Sequence, residues 1–84
     1  MIKIQILGLG NSKHRQLSRN LHSALKIVGI EAEVEQVTEV DEILRFKVSS
    51  IPAIVYDGRI FFQNGHIPGI EELCELLAAE QVRA

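Results

Sequence analysis

Thiol chemistry is almost missing from this sequence, in which Cys74 is the single cysteine. Within these residues no intramolecular disulfide can form, and a thiolate metal site would need a second chain. A lone cysteine also fits a reducing compartment. Positive charge is not in excess either. The net charge of −2 removes the global basic field that recruits nucleic acid. No long hydrophobic run occurs: the opening apolar stretch ends at Leu7 and lacks a cleavage-site pattern behind it. It falls far short of the roughly 20 residues of a membrane span. Nucleic acid and membrane are therefore not expected as partners, and the expected location is the cytoplasm. Linkers, low-complexity tracts and internal repeats are absent as well. With 46% hydrophobic and 24% charged residues, residues 1–84 read as a single folded domain with one modest core.

Hydrophobic periodicity orders the rest of the chain. Residues 2–7 suit a central strand, ended by Gly8 and Gly10. Asn11 is a good N-cap, because its side-chain oxygen can accept an orphan backbone N–H. Leu17, Leu21, Ala24, Leu25 and Val28 then make one apolar helical stripe, which Gly29 terminates. Residues 31–37 alternate imperfectly and are expected as a second strand near a sheet edge, with glutamates in solvent. Thr38-Glu39-Val40-Asp41 resembles a capping box, with Asp in the usual place of Glu. Val40, Ile43 and Leu44 are expected to form the inward face of a short helix ending near Lys47. Asp57-Gly58 joins residues 53–56 to residues 59–62 as a two-residue hairpin loop. Pro68-Gly69 precedes a last helix with Ile70, Leu73, Cys74 and Leu77 on one side, and Glu71 and Glu72 in the first turn.

The resulting order is β-α-β-α-β-β-α. The glycine turn running into Asn11-Ser12-Lys13-His14, and Ile51-Pro52-Ala53 before the Asp57-Gly58 hairpin, resemble the small archaeal- and bacterial-type thioredoxin/glutaredoxin-like proteins. The resemblance covers essentially the whole chain. It implies an α/β, thioredoxin-like fold: a single mixed four-stranded sheet with helices on both faces. It also implies a cis Ile51–Pro52 bond beside the start of the first helix. There the family offers the backbone of the residue before the proline to an extended peptide or thiol ligand. In that family a Cys-x-x-Cys pair opens the first helix, and here Asn11 and His14 hold those two places. Neither can form or resolve a mixed disulfide, so dithiol–disulfide exchange by the family mechanism is excluded at this position.

Two readings of the altered positions stand side by side. In one, Asn11, Ser12, Lys13, His14, Ile51 and Pro52 line a repurposed binding surface for a peptide, a partner protein, a small anion or a glutathione-like thiol. In the other, Asn11 is a cap and His14 an ordinary surface histidine. Lys13, His14, Arg15 and Arg19 crowd a helix end where the dipole favours acids, which suits an anion site or a solvated basic face. Cys74 falls on an apolar stripe, as a buried structural thiol does. A thiol-dependent carrier acting through Cys74, or a companion subunit of a redox system, is the alternative reading. Ser12, Ser49 and Ser50 have no acid placed to complete a nucleophilic triad with His14. His14, His22 and His66 show no ligand spacing for zinc. No catalytic residue, metal or cofactor is assigned from the sequence.

Overall fold

The computed structural model describes residues 2–63 and 66–83. Its elements are β1 (Ile2–Leu7), α1 (Ser12–Val28), β2 (Ala32–Val37), α2 (Val40–Arg45), β3 (Ala53–Tyr56), β4 (Arg59–Phe62) and α3 (Ile70–Arg83). They form one four-stranded sheet in the order β2-β1-β3-β4. β1 runs parallel to β2 and antiparallel to β3, and β3 and β4 form the hairpin. The sheet is mixed, as expected, and β2 lies at its edge.

Strand parity divides the core between the two faces. Side chains alternate across a sheet with period two. Ile4 and Ile6 of β1 and Ile54 and Tyr56 of β3 therefore share one face, packed with Leu17, Leu21 and Leu25 of α1 and Leu73 and Leu77 of α3. Leu7, Ala53 and Val55 point to the other face, where Ile43 of α2 covers them together with Val37. The α2 helix is only six residues long, so it covers one end of that face. At the uncovered end Lys3 and Glu35 form an ion pair at 3.8 Å, and Gln5 donates from Nε2 to Glu35 Oε1 at 2.9 Å. β3 is buried on both faces, which explains why residues 53–56 carry no polar group except the Tyr56 hydroxyl.

Turns follow the sequence signals closely. Gly29 adopts a left-handed conformation (φ 74°), and its N–H donates to the carbonyls of Leu25 and Lys26. Ile30 N–H also reaches Leu25 O, at 3.0 Å, closing a Schellman-type end. Asp57 and Gly58 both have positive φ, the geometry of a type I′ hairpin turn. Asp57 is tied to β1 twice: its N–H donates to Lys3 O, and its carboxylate accepts the Lys3 N–H, each at 2.8 Å.

The α2 region departs from expectation. Glu39 is the N-cap, with no side-chain capping bond, so the Thr38 capping box does not form. The helix ends at Arg45. Only Ile43 turns inward, whereas Val40 and Leu44 are 57% and 67% exposed. A helix this short presents one turn to the sheet, and one residue fills it. In α3, Leu73 and Leu77 are fully buried, Cys74 is half-buried and Ile70 is exposed.

Tyr56 supplies a measurable consequence of this packing. Burial raises its phenol pKa above the ordinary value of 10.0; Asp57 and Glu80 add to the rise and Arg59 opposes it. The folded state thus holds the proton more tightly than the unfolded chain. This contribution to stability is complete below pH about 10 and declines as pH rises through the folded-state pKa. Tyr56 is the chain's only tyrosine and tryptophan is absent, so absorbance near 295 nm reports this group alone. The titration is expected above that of a tyrosine model peptide, moving down to the peptide value in urea. Coincident native and unfolded titrations would contradict the buried placement.

Candidate functional site

The loop from Gly8 to Asn11 and the first turn of α1 form one hydrogen-bonded unit. Asn11 caps the helix: its Oδ1 accepts the His14 N–H at 3.1 Å, satisfying one of the donors every helix start leaves open. Gly10 adopts φ 75°, which lets the chain turn sharply into the cap. His14 then points inward. It is the one buried polar or charged residue among those described, at 4% exposure. The expectation of an ordinary surface histidine is therefore corrected.

What allows that burial is Gly8. A Cβ built at position 8 would lie 2.3 Å from His14 Nδ1, so the imidazole occupies the volume a side chain there would need. Both ring nitrogens are matched. Gly10 N–H donates to Nδ1 at 3.3 Å, and Nε2 meets Gln36 Oε1 at 2.5 Å. A backbone N–H can only donate, so Nδ1 carries the lone pair and Nε2 the proton. Gln36 passes the polarity on, donating from Nε2 to Ser18 Oγ at 3.1 Å. Gln36 shares its strand parity with the half-buried Ala32 and Val34. Gln36 is itself exposed at the end of that row, and an amide in parity with two apolar residues was the sequence signal for a polar partner, which His14 supplied. Ser18 gave no signal of its own.

The other expected site residues are distributed differently. Ser12 and Lys13 are exposed on the first turn of α1. Arg15 bends back, donating from Nη1 to Gly10 O at 2.9 Å, so part of the basic cluster braces the loop. The Ile51–Pro52 peptide bond is cis and Pro52 is buried. Ile51 lines an apolar groove of about 340 Å³ with Leu9, Val40, Leu44, Val48 and Ser50. His14, by contrast, lines a separate depression with Arg15, Ser18, Arg19, Gln36 and Thr38. The two halves of the expected surface thus open into different depressions, meeting at the Leu9–Gly10 step. The groove's apolar wall came from residues that the sequence pattern assigns to a core, Val40 and Leu44.

Away from this region, Cys74 Sγ lies 3.9 Å from Ala24 O, between α1 and α3. His22 is exposed, and His66 Nε2 pairs with Glu72 at 3.7 Å. No group of three His, Cys, Asp or Glu residues placed to hold a metal occurs among the described residues, and no helix among them is long and apolar enough to cross a membrane.

The packing of His14 on Gly8 is open to a double-mutant test. Gly8→Ala is expected to destabilise the domain by about 1–3 kcal/mol, the usual cost of overpacking. In a His14→Ala background the same substitution should cost far less, because the overlapping ring is gone. Urea unfolding of the four proteins measures the coupling. Additive effects would show that the ring does not fill that volume.

A family model described as a thioredoxin domain matches residues 2–78. Thioredoxin from Methanothermobacter thermautotrophicus is 35% identical over 78 residues, covering 93% of this chain and all of the relative. Thioredoxin from Methanocaldococcus jannaschii is 39% identical over 77 residues, covering 92% of this chain and 87% of the relative. In three dimensions, a solved structure described as that of a malarial protein superposes with a TM-score of 0.68 at 14% identity. It covers 94% of this chain and 96% of its own, a likeness of fold alone. The match over nearly the whole chain, with its β-α-β-α-β-β-α order, places this protein in the thioredoxin family.

Proposed function

We propose that this protein is a redox-inactive thioredoxin-fold module that binds an extended apolar peptide segment of a partner protein, in the cytoplasm. The observation that carries the reading is the groove beside Ile51. Leu9, Val40 and Leu44 are all more than half exposed and wall the same groove. Exposed apolar side chains gathered around a concavity are a feature of interaction sites; scattered ones are not. The groove borders the Ile51–Pro52 edge, where the family presents main chain to its ligands. That edge needs no thiol, so it survives the replacement of the two cysteines by Asn11 and His14. A peptide could bury Leu9 and Leu44 at about 25 cal/mol per Å² of apolar surface removed from water.

The thiol half of the reading rests on chemistry. Asn11 offers no nucleophile, and His14 is committed on both nitrogens to Gly10 and Gln36. Cys74 is packed between two helices, on the sheet face opposite α2, away from the groove. That placement gives no support to a carrier working through Cys74 at the groove.

Three experiments check the proposal. In an insulin-reduction assay no turnover is expected, for the wild type or for Cys74→Ala. Reduction at the rate of an active thioredoxin would sink the redox-inactive reading. Asn11→Cys/His14→Cys in a Cys74→Ala background should form an oxidisable pair that resists alkylation until reduced.

For the groove, a displayed library of short unstructured peptides should yield apolar binders. Leu44→Glu and Leu9→Glu are expected to weaken them tenfold or more, whereas Ile27→Glu, at an exposed apolar position on α1, should not. Equal loss with all three variants, or selected peptides unaffected by Leu44→Glu, would remove the groove from the proposal.

A further inference from the structure

Charge is segregated along this chain in a way its net value conceals. The first 30 residues hold Lys3, Lys13, Arg15, Arg19 and Lys26 and no Asp or Glu, so all 11 acidic residues come later. Arg15 and Arg19 stand four residues apart, which places like charges on one helix face, an arrangement that destabilises a helix. Neither belongs to an ion pair among the described residues. Arg15 keeps part of its guanidinium free after bonding Gly10 O, and Arg19 keeps part after its Nη2 bonds Gln16 Oε1 at 3.1 Å. Both line a depression of about 420 Å³ together with Ser18, Gln36 and Thr38.

The hydrogen-bond chain described above ends in that depression, and its direction is fixed from the start. Gly10 N–H donates to His14, His14 to Gln36, and Gln36 to Ser18 Oγ. Ser18 therefore spends a lone pair on Gln36 and keeps its own proton, for which no acceptor occurs among the described residues. Thr38, freed from the capping box that does not form, brings a second hydroxyl to the same wall. Arg15, Ser18, Arg19, Gln36 and Thr38 each keep donor capacity to spare, and no carboxylate lines the depression.

We infer that this depression between α1 and the end of β2 is a binding site for an oxyanion of the phosphate class. Two guanidinium groups and two hydroxyls on one wall offer more donors than the two oxygens of a carboxylate can take up, which suits the larger set of oxygens on a tetrahedral anion. The site is distinct from the apolar groove and stands or falls independently of the peptide reading.

The test uses the whole protein and inorganic phosphate, with acetate and chloride as comparators at constant ionic strength. Phosphate should produce saturable NMR shifts of Gly10, Ser18 and Gln36 and of the Arg15 and Arg19 side-chain Nε–H signals. Acetate should bind at least tenfold more weakly. Arg15→Gln and Arg19→Gln should each weaken phosphate tenfold or more, and Ser18→Ala severalfold. These positions lie on the outer side of α1, and circular dichroism checks that the variants fold. Lys26→Gln removes the same charge two turns away and should leave affinity within twofold. Linear shifts common to all three anions would overturn the inference, as would equal losses with Lys26→Gln and Arg19→Gln, since both indicate general screening. A response confined to the groove residues Leu9 and Leu44 would overturn it too.

Discussion

An imidazole buried against a glycine governs the start of the first helix. His14 has no volume of its own unless position 8 lacks a side chain. It has no place in a core unless both nitrogens are bonded, since an unmatched buried polar group costs about 1–3 kcal/mol. Gly8, Gly10 and Gln36 meet these demands together, from a strand end, a turn and a neighbouring strand. The helix start, the sharp turn before it and the end of the parallel β1–β2 pair are thereby locked to each other. The buried histidine is the joint of the local architecture.

Two surfaces diverge from that joint. On one side, Leu9 and α2 enclose an apolar concavity beside the proline loop. On the other, Arg15, Ser18 and Arg19 border a polar one. Consecutive residues, Leu9 and Gly10, contribute to the two. The Gly10–His14 bond holds the backbone at the step between them. The shortness of α2 matters as much. Its one inward turn is filled by Ile43, which leaves Val40 and Leu44 of the same helix to wall the groove.

Most of the fold was legible because local signals and burial agree. Alternation placed β1, the 3.6-residue stripe placed α1, Gly29 ended it, and Asp57-Gly58 specified the hairpin. Thr38 misled because a capping box is a local pattern, and here the chain enters α2 with Glu39 as cap. Val40 and Leu44 misled because hydrophobicity marks a wish for burial without saying what will cover it. The site was only half legible. Asn11 declared itself as a cap, but the depth of His14 depends on the absence of an atom at Gly8 and on Gln36 22 residues away. No periodicity in α1 carries that information. The inward parity of Gln36 was the only trace.

The two margins of the sheet resist further strands for different reasons. Along β2, Glu33 and Glu35 punctuate the exposed edge, and Glu35 is held there by Lys3 and Gln5. Any chain approaching to extend the ladder would have to bury or oppose those carboxylates. Along β4 the margin is only four residues long, its pairing with β3 is interrupted by an irregularity between Ile54 and Val55, and Arg59 is drawn away to Glu80 of α3. Short, bent and charged edges are how proteins escape edge-to-edge aggregation. A domain that leaves leucines in an open groove would otherwise be at risk of fibre growth; here the sticky area is confined to side chains and withheld from the backbone.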